Sequence, residues 1–212
     1  GQTYNLFDLL TGEDQTGTWS DDDSSGALSG NTVTLDGLAP ATYNFTYDVA
    51  AIGICDDVDV TVQIIVNPQP NTGTPSPAIF CENDIAGNSP LDLFGQLTGN
   101  DLGGTWYEGS DNTGTAIVDP SAYDITGLVV GSYNYTYSIT NGFGCTNSST
   151  VVVTIDPAPE SGTANTPVEF CLEAITTGQT YNLFDLLTGE DQTGTWSDDD
   201  SSGALSGNTV TL

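Results

Sequence analysis

Lysine, arginine, histidine and methionine are all absent from this 212-residue chain. Each gap removes a class of function. Without Lys, Arg or His there is no Ser–His–Asp triad, no Cys–His pair, no Schiff-base lysine and no Walker lysine. Lysine-dependent isopeptide cross-links are excluded as well. Phosphate neutralisation needs Lys or Arg, so nucleic acid is not an expected partner, and anionic membrane surfaces are disfavoured for the same reason. No run approaches the roughly 20 apolar residues that span a bilayer, so direct membrane insertion is not expected. No CxxC pair accompanies the missing histidine, which argues against zinc. The 29 Asp and Glu residues give a formal charge of −29 with no cationic side chain to oppose it. On that composition no intramolecular salt bridge is expected. Such charge favours solubility and suppresses lateral association while straining the compact state.

What the chain does contain is repetition. Gly1 to Leu35 recurs letter for letter as Gly178 to Leu212, an offset of 177. Folding alone does not demand identity at surface positions, so a recent duplication or a window from a long periodic polypeptide is indicated. A weaker period lies inside. From Cys81 to Trp106, 11 of 26 positions agree with Cys171 to Trp196, among them Leu93-Phe94, Leu97-Thr98-Gly99, Asp101 and Gly104-Thr105-Trp106. The same offset aligns Cys55 with Cys145, and Thr42–Tyr47 with Ser132–Tyr137. The 177-residue period therefore reads as two related modules, each the size of a small domain. Asn67-Pro-Gln-Pro and Asp156-Pro-Ala-Pro mark the joints, where proline favours extended backbone. The expected division is module A at 1–67, without its first strand, complete module B at 68–156, and the first part of another module A at 157–212.

The strand signals are clear. Tyr43, Phe45, Tyr47 and Val49 alternate with polar residues, and Tyr133, Tyr135, Tyr137 and Ile139 repeat that pattern. Val58 to Ile64 and Val151 to Ile155 predict the strands that follow. Gly104-Thr105-Trp106 reads as a strand bearing a buried indole. Leu93–Leu97 and Leu183–Leu187 fit either one helical turn or a strand. Many short strands with regular turns predict an all-β chain of antiparallel sandwiches.

Joining Cys55 to Cys81 would require crossing a strand of about nine residues, roughly 30 Å, and then a proline-rich joint. Disulfide Cα atoms stand about 4.4–6.8 Å apart. A bridge from Cys81 to Cys145 within module B is therefore expected, closing a loop of 64 steps (145 − 81). By the same logic Cys55 and Cys171 would pair with cysteines outside this window. Disulfides in small β modules imply an extracellular setting.

The acidic runs, Asp21, Asp22 and Asp23 with Asp56, Asp57 and Asp59, are oxygen-donor chemistry suited to Ca²⁺. Their spacing matches no EF-hand, and solvated hairpin tips explain them equally. If Ca²⁺ binds, it raises the melting temperature beyond a matched ionic-strength control. Trp19, Trp106 and Trp196 could stack on a glycan, but recurrence at one module position favours a core role. Two carboxylates could in principle cleave a glycoside. An acid present in every module is a poor layout for an active site, so no enzyme activity is expected.

The ordered string Phe80-Cys81-Glu82-Asn83-Asp84, Leu91-Asp92-Leu93-Phe94, Gly104-Thr105-Trp106, Gly131 to Tyr137, Gly144-Cys145 and Asp156-Pro-Ala-Pro resembles a known repeat. It is similar to the immunoglobulin-like repeats of very large cell-surface proteins of Bacteroidota, including gliding-motility adhesins. The resemblance implies secretion, extracellular display and service as the shaft of an adhesin-type filament, with neighbouring copies of the repeat as partners. It also implies that the early cysteine of a module pairs with the late one, and it carries over no catalytic residue. A surface glycan or an abiotic surface would be the distal target. Two alternatives are a fibre of subunits joined by a donated strand and modules that themselves bind glycan.

Overall fold

The computed structural model describes all residues, 1–212, and the chain is all-β, with only single helical turns between strands. By packing it falls into two compact units. One comprises Gly1–Ala78, Leu91–Tyr123 and Tyr133–Val153; the other comprises Ile79–Pro90, Asp124–Ser132 and Thr154–Leu212. The segment expected as module B thus contributes to both.

The first 67 residues form two small sheets. Strands β1 (Thr3–Asn5), β3 (Leu28–Ser29) and β4 (Thr32–Thr34) make one, in the order β1-β4-β3. Strands β2 (Thr18–Asp21), β5 (Ala41–Val49) and β6 (Val58–Val66) make the other, in the order β2-β5-β6. The alternation in β5 is realised: Phe45 and Tyr47 are buried, and Phe45 joins Leu6, Val33 and Val62 in the core. Trp19 stands opposite Tyr47 and Phe45 opposite Val62 in an antiparallel register.

The next segment contributes β7 (Thr74–Pro75), β8 (Ala78–Cys81), β9 (Leu97–Thr98), β10 (Thr105–Glu108), β11 (Gly131–Thr140) and β12 (Thr146–Asp156). Four of these form a sheet in the order β10-β11-β12-β8. Here β11 buries Thr136 and Ser138 as well as Tyr135, Tyr137 and Ile139, so strict alternation fails. Thr136 is accommodated because its hydroxyl donates to the Gly109 carbonyl at 2.8 Å and meets the Thr150 hydroxyl at 2.9 Å. A buried polar group with partners carries little penalty. In the last segment, β13 (Ser161–Ala164) pairs with β15 (Leu187–Glu190), and β14 (Thr180–Asn182), β16 (Leu205–Ser206) and β17 (Thr209–Thr211) repeat the first three-stranded sheet.

The Leu-Phe stretches resolve into both readings in succession. Each opens as a 3₁₀ turn, at Leu6–Leu9, Phe94–Gln96 and Leu183–Leu186, and the latter two pass directly into β9 and β15. The residue two before each Phe caps it. Asn5, Asp92 and Asn182 accept from the amides of Phe7, Phe94 and Phe184 at 3.1, 3.0 and 3.2 Å. Short polar side chains that bond their own backbone two residues on favour such turns.

Candidate functional site: aromatic clamps and module joints

An aromatic triad recurs in the interior. Phe7, Trp19 and Tyr47 have ring centroids 4.9–5.7 Å apart, and Phe94, Trp106 and Tyr137 repeat this at 5.5–5.7 Å. Phe184 and Trp196 form the corresponding pair at 5.6 Å. Edge and tilted packing of this kind adds about 0.5–1.5 kcal/mol per pair beyond area burial. Trp106 is only 1% exposed, so it cannot stack on a glycan. Trp19 and Trp196 are half-buried beneath a hollow that each shares with a phenylalanine and an asparagine, Phe7 with Asn31 and Phe184 with Asn208.

The tyrosine of each complete triad is also a clamp. The Tyr137 hydroxyl accepts from the Gly104 amide at 2.9 Å and donates to the Asp101 carbonyl at 2.6 Å. The Tyr47 hydroxyl accepts from Gly17 at 2.7 Å and donates to the Asp14 carbonyl. The glycine of Gly-Thr-Trp is dictated by this approach, because a Cβ at Gly104 would stand 2.5 Å from the Tyr137 ring. Glycine tolerates such close contact because it has no side chain.

From Asp101 the clamp continues to the joint. Its carboxylate accepts from the Asn71 amide at 2.8 Å, and its own amide donates to the Asn71 carbonyl at 2.8 Å. Asp191 repeats both bonds with Glu160, at 2.9 and 2.7 Å. Two residues further, Gly73 and Gly162 take φ near +79° and +77°, a region open chiefly to glycine. The backbone leaving each joint is thus tied to an aspartate five residues before a tryptophan, Trp106 or Trp196. Identity of Asp101 and Asp191 in the repeat alignment was the sequence signal for this role, although it specified no partner.

The first joint is bonded along its length. Asn141 donates to the Pro68 carbonyl at 2.7 Å and Asn147 to the Pro70 carbonyl at 3.0 Å. Thr72 meets the Ser149 hydroxyl at 2.6 Å. At the second joint the Ala158 amide donates to the Glu82 carboxylate at 3.0 Å. Partners rise together in number, Pro70 with Asn147, Thr72 with Ser149 and Glu82 with Ala158. The 70–82 segment therefore runs parallel to 147–158. These joints are not bare spacers. Proline leaves carbonyls without matching donors, and asparagine amides satisfy them.

The same register bears on the expected Cys81–Cys145 bridge. All four cysteines are unbridged. Cys145 precedes β12, and Asn141 binds both its amide and the first joint. Cys81 adjoins Glu82, which binds Ala158 beyond the far end of β12. The eleven residues of β12 intervene, roughly 35 Å at ~3.3 Å per residue. No disulfide spans that distance.

The acidic residues bond locally. Asp21 accepts from the Ser25 hydroxyl and the Gly26 amide, each at 2.9 Å. Asp22 takes the Ser20 and Thr46 hydroxyls at 3.0 and 2.7 Å, and Asp23 takes the amide and side chain of Asn44 at 2.6 and 3.0 Å. Asp22 and Asp23 fasten a turn to β5, and Asp21 closes the turn itself. Burial works to raise the Asp21 carboxyl, but the Ser25 and Gly26 donors outweigh it and hold it below the ordinary range. Asp198 repeats the Ser202 and Gly203 bonds, and its carboxyl is likewise held low. Asp59 stands opposite Asp48 in the β5–β6 register, with no third acid completing a set there or with Asp56 and Asp57. No three carboxylates or thiols converge anywhere as metal ligands.

No helix is long and apolar enough to cross a membrane. No family model matches the chain, and no curated protein matches it.

Proposed function

We propose that this chain is a length of an extracellular filament built from tandem immunoglobulin-like modules. Its task is mechanical, to extend and present a distal adhesive region. The observation that carries the reading is the bonded joint. A flexible tether would leave Pro68 and Pro70 to solvent, whereas here side chains of the β11–β12 hairpin hold both carbonyls. The exact 177-residue period supplies copies to be joined, and the Asp101 and Asp191 bonds repeat from one joint to the next. At physiological salt, charge repulsion is screened beyond ~8 Å, so bonded joints must supply the stiffness. Stability in such an array is a sum of module and nearest-neighbour terms.

Small-angle scattering from chains of one, two and three periods tests this. The maximum dimension should rise in proportion to the number of periods. Growth as the cube root of mass, as for a compact particle, refutes it.

A further inference from the structure

Cys145 and Cys81 stand beside different joints. Cys145 is fixed at the first: its amide donates to the Asn141 side chain at 3.1 Å and its carbonyl accepts from the Asn141 amide at 3.0 Å, while Asn141 also holds Pro68. Cys81 is fixed at the second through Glu82 and Ala158. Projected through the repeat, every joint has two cysteines beside it, the early one of the module before and the late one of the module after. The first joint shows the late cysteine and the second shows the early one. Their counterparts fall outside residues 1–212.

We propose that successive modules are stapled by disulfides across their joints, the early cysteine of one module bonding the late cysteine of the next. Cys81 bonds the counterpart of Cys55 one period on, and Cys171 bonds the counterpart of Cys145 one period on. This rests on the tandem reading above. Cys81 and Cys145 are each half-buried beside the joint they adjoin. A bracket of this kind sends tension through a covalent bond rather than through the asparagine–proline hydrogen bonds. It also accounts for one early and one late cysteine per module with no route between them inside it.

Each staple forms by two exchange steps with a small disulfide oxidant such as glutathione disulfide. One protein thiolate attacks a glutathione sulfur, forming a mixed disulfide and releasing one glutathione thiolate. The second protein thiolate displaces the remaining glutathione. Two protein thiols are oxidised, one glutathione disulfide is reduced to two thiols, and the two protons lost by the protein thiols end on the two glutathione thiolates.

The test uses two proteins, oxidised with glutathione disulfide at high dilution, alkylated and mapped by proteolysis and mass spectrometry. One is the 212-residue chain, and the other is the same chain continued by one further period after Leu212. The shorter chain should keep four alkylatable thiols. The longer should carry two bridges, from Cys81 and from Cys171, each to the counterpart named above, with Cys145 still free. A mapped Cys81–Cys145 peptide in either protein overturns the proposal, and so does a longer chain in which every thiol stays free. Neither result touches the tandem reading, which scattering on the same samples decides separately. Cys81→Ser adds a second check. In the longer chain it should free only the late cysteine of the following module and leave alkylation of Cys145 unchanged. Loss of protection at Cys145 would refute the staple.

Discussion

Replacing Tyr137 with Phe removes one oxygen and leaves the aromatic triad intact. The phenol is fully buried, with the Gly104 amide and the Asp101 carbonyl at 2.9 and 2.6 Å as its partners. Tyr137→Phe strands both. A buried polar group deprived of its partner costs about 1–3 kcal/mol, and water reaching the loop would lower that cost, so a loss of about 2–3 kcal/mol is expected. For a domain of this size each kcal/mol shifts Tm by roughly 4–8 °C, giving a drop of roughly 10–20 °C in the transition of the affected module. Differential scanning calorimetry resolves the transitions, and hydrogen exchange at the Gly104 amide reports the local bond. Tyr4→Phe, at a partly exposed tyrosine of β1, serves as the control and should shift Tm little. If Tyr137→Phe melts within a degree of the parent and Gly104 exchange is unchanged, the clamp contributes nothing and the account of Gly-Thr-Trp fails.

Gly17→Ala should destabilise by about 1–3 kcal/mol through overpacking, because its Cβ would stand 2.7 Å from the Tyr47 ring; a neutral result in denaturant titration counts against the close approach. Asn141→Ala removes the donor to Pro68 and the acceptor for the Cys145 amide, so proteolysis at the joint, which lacks Lys and Arg and needs a chymotrypsin- or elastase-type enzyme, should accelerate while module Tm changes little. Asp21 has a folded pKa below its ordinary 3.8. Its contribution is therefore complete above that value and disappears as pH falls through the folded one, so the stability gap between parent and Asp21→Asn should close on acidification; a constant gap contradicts the assigned bonds. Burial first, then hydrogen bonds with Tyr135 and Glu108, hold the Tyr123 phenol far above its ordinary 10.0. Its stabilisation is full below pH 10 and declines only as pH rises toward the folded value, so in an alkaline absorbance titration Tyr123 should ionise only as the chain unfolds.

The sequence alone determined the all-β class and the strands of alternating aromatics. These are local matters: a period-2 pattern from Tyr43 to Val49 buries Phe45 and Tyr47 whichever neighbour lies beside them, and a letter-perfect repeat needs no coordinates. The Leu-Phe turns were half legible, because an Asn or Asp two residues before Phe favours a 3₁₀ turn while the following Leu-Thr favours a strand. Only the tertiary structure decided the direction of the segment after the first joint. Parallel and antiparallel pairing of a short edge strand use the same side chains, so composition cannot distinguish them. That one choice places Cys81 and Cys145 at separate joints and gives Asn141 and Asn147 their proline carbonyls. Nor could charge counting foresee which groups Asp21, Asp22 and Asp23 bond, because carboxylate oxygens serve a turn or a metal alike and geometry alone allots them.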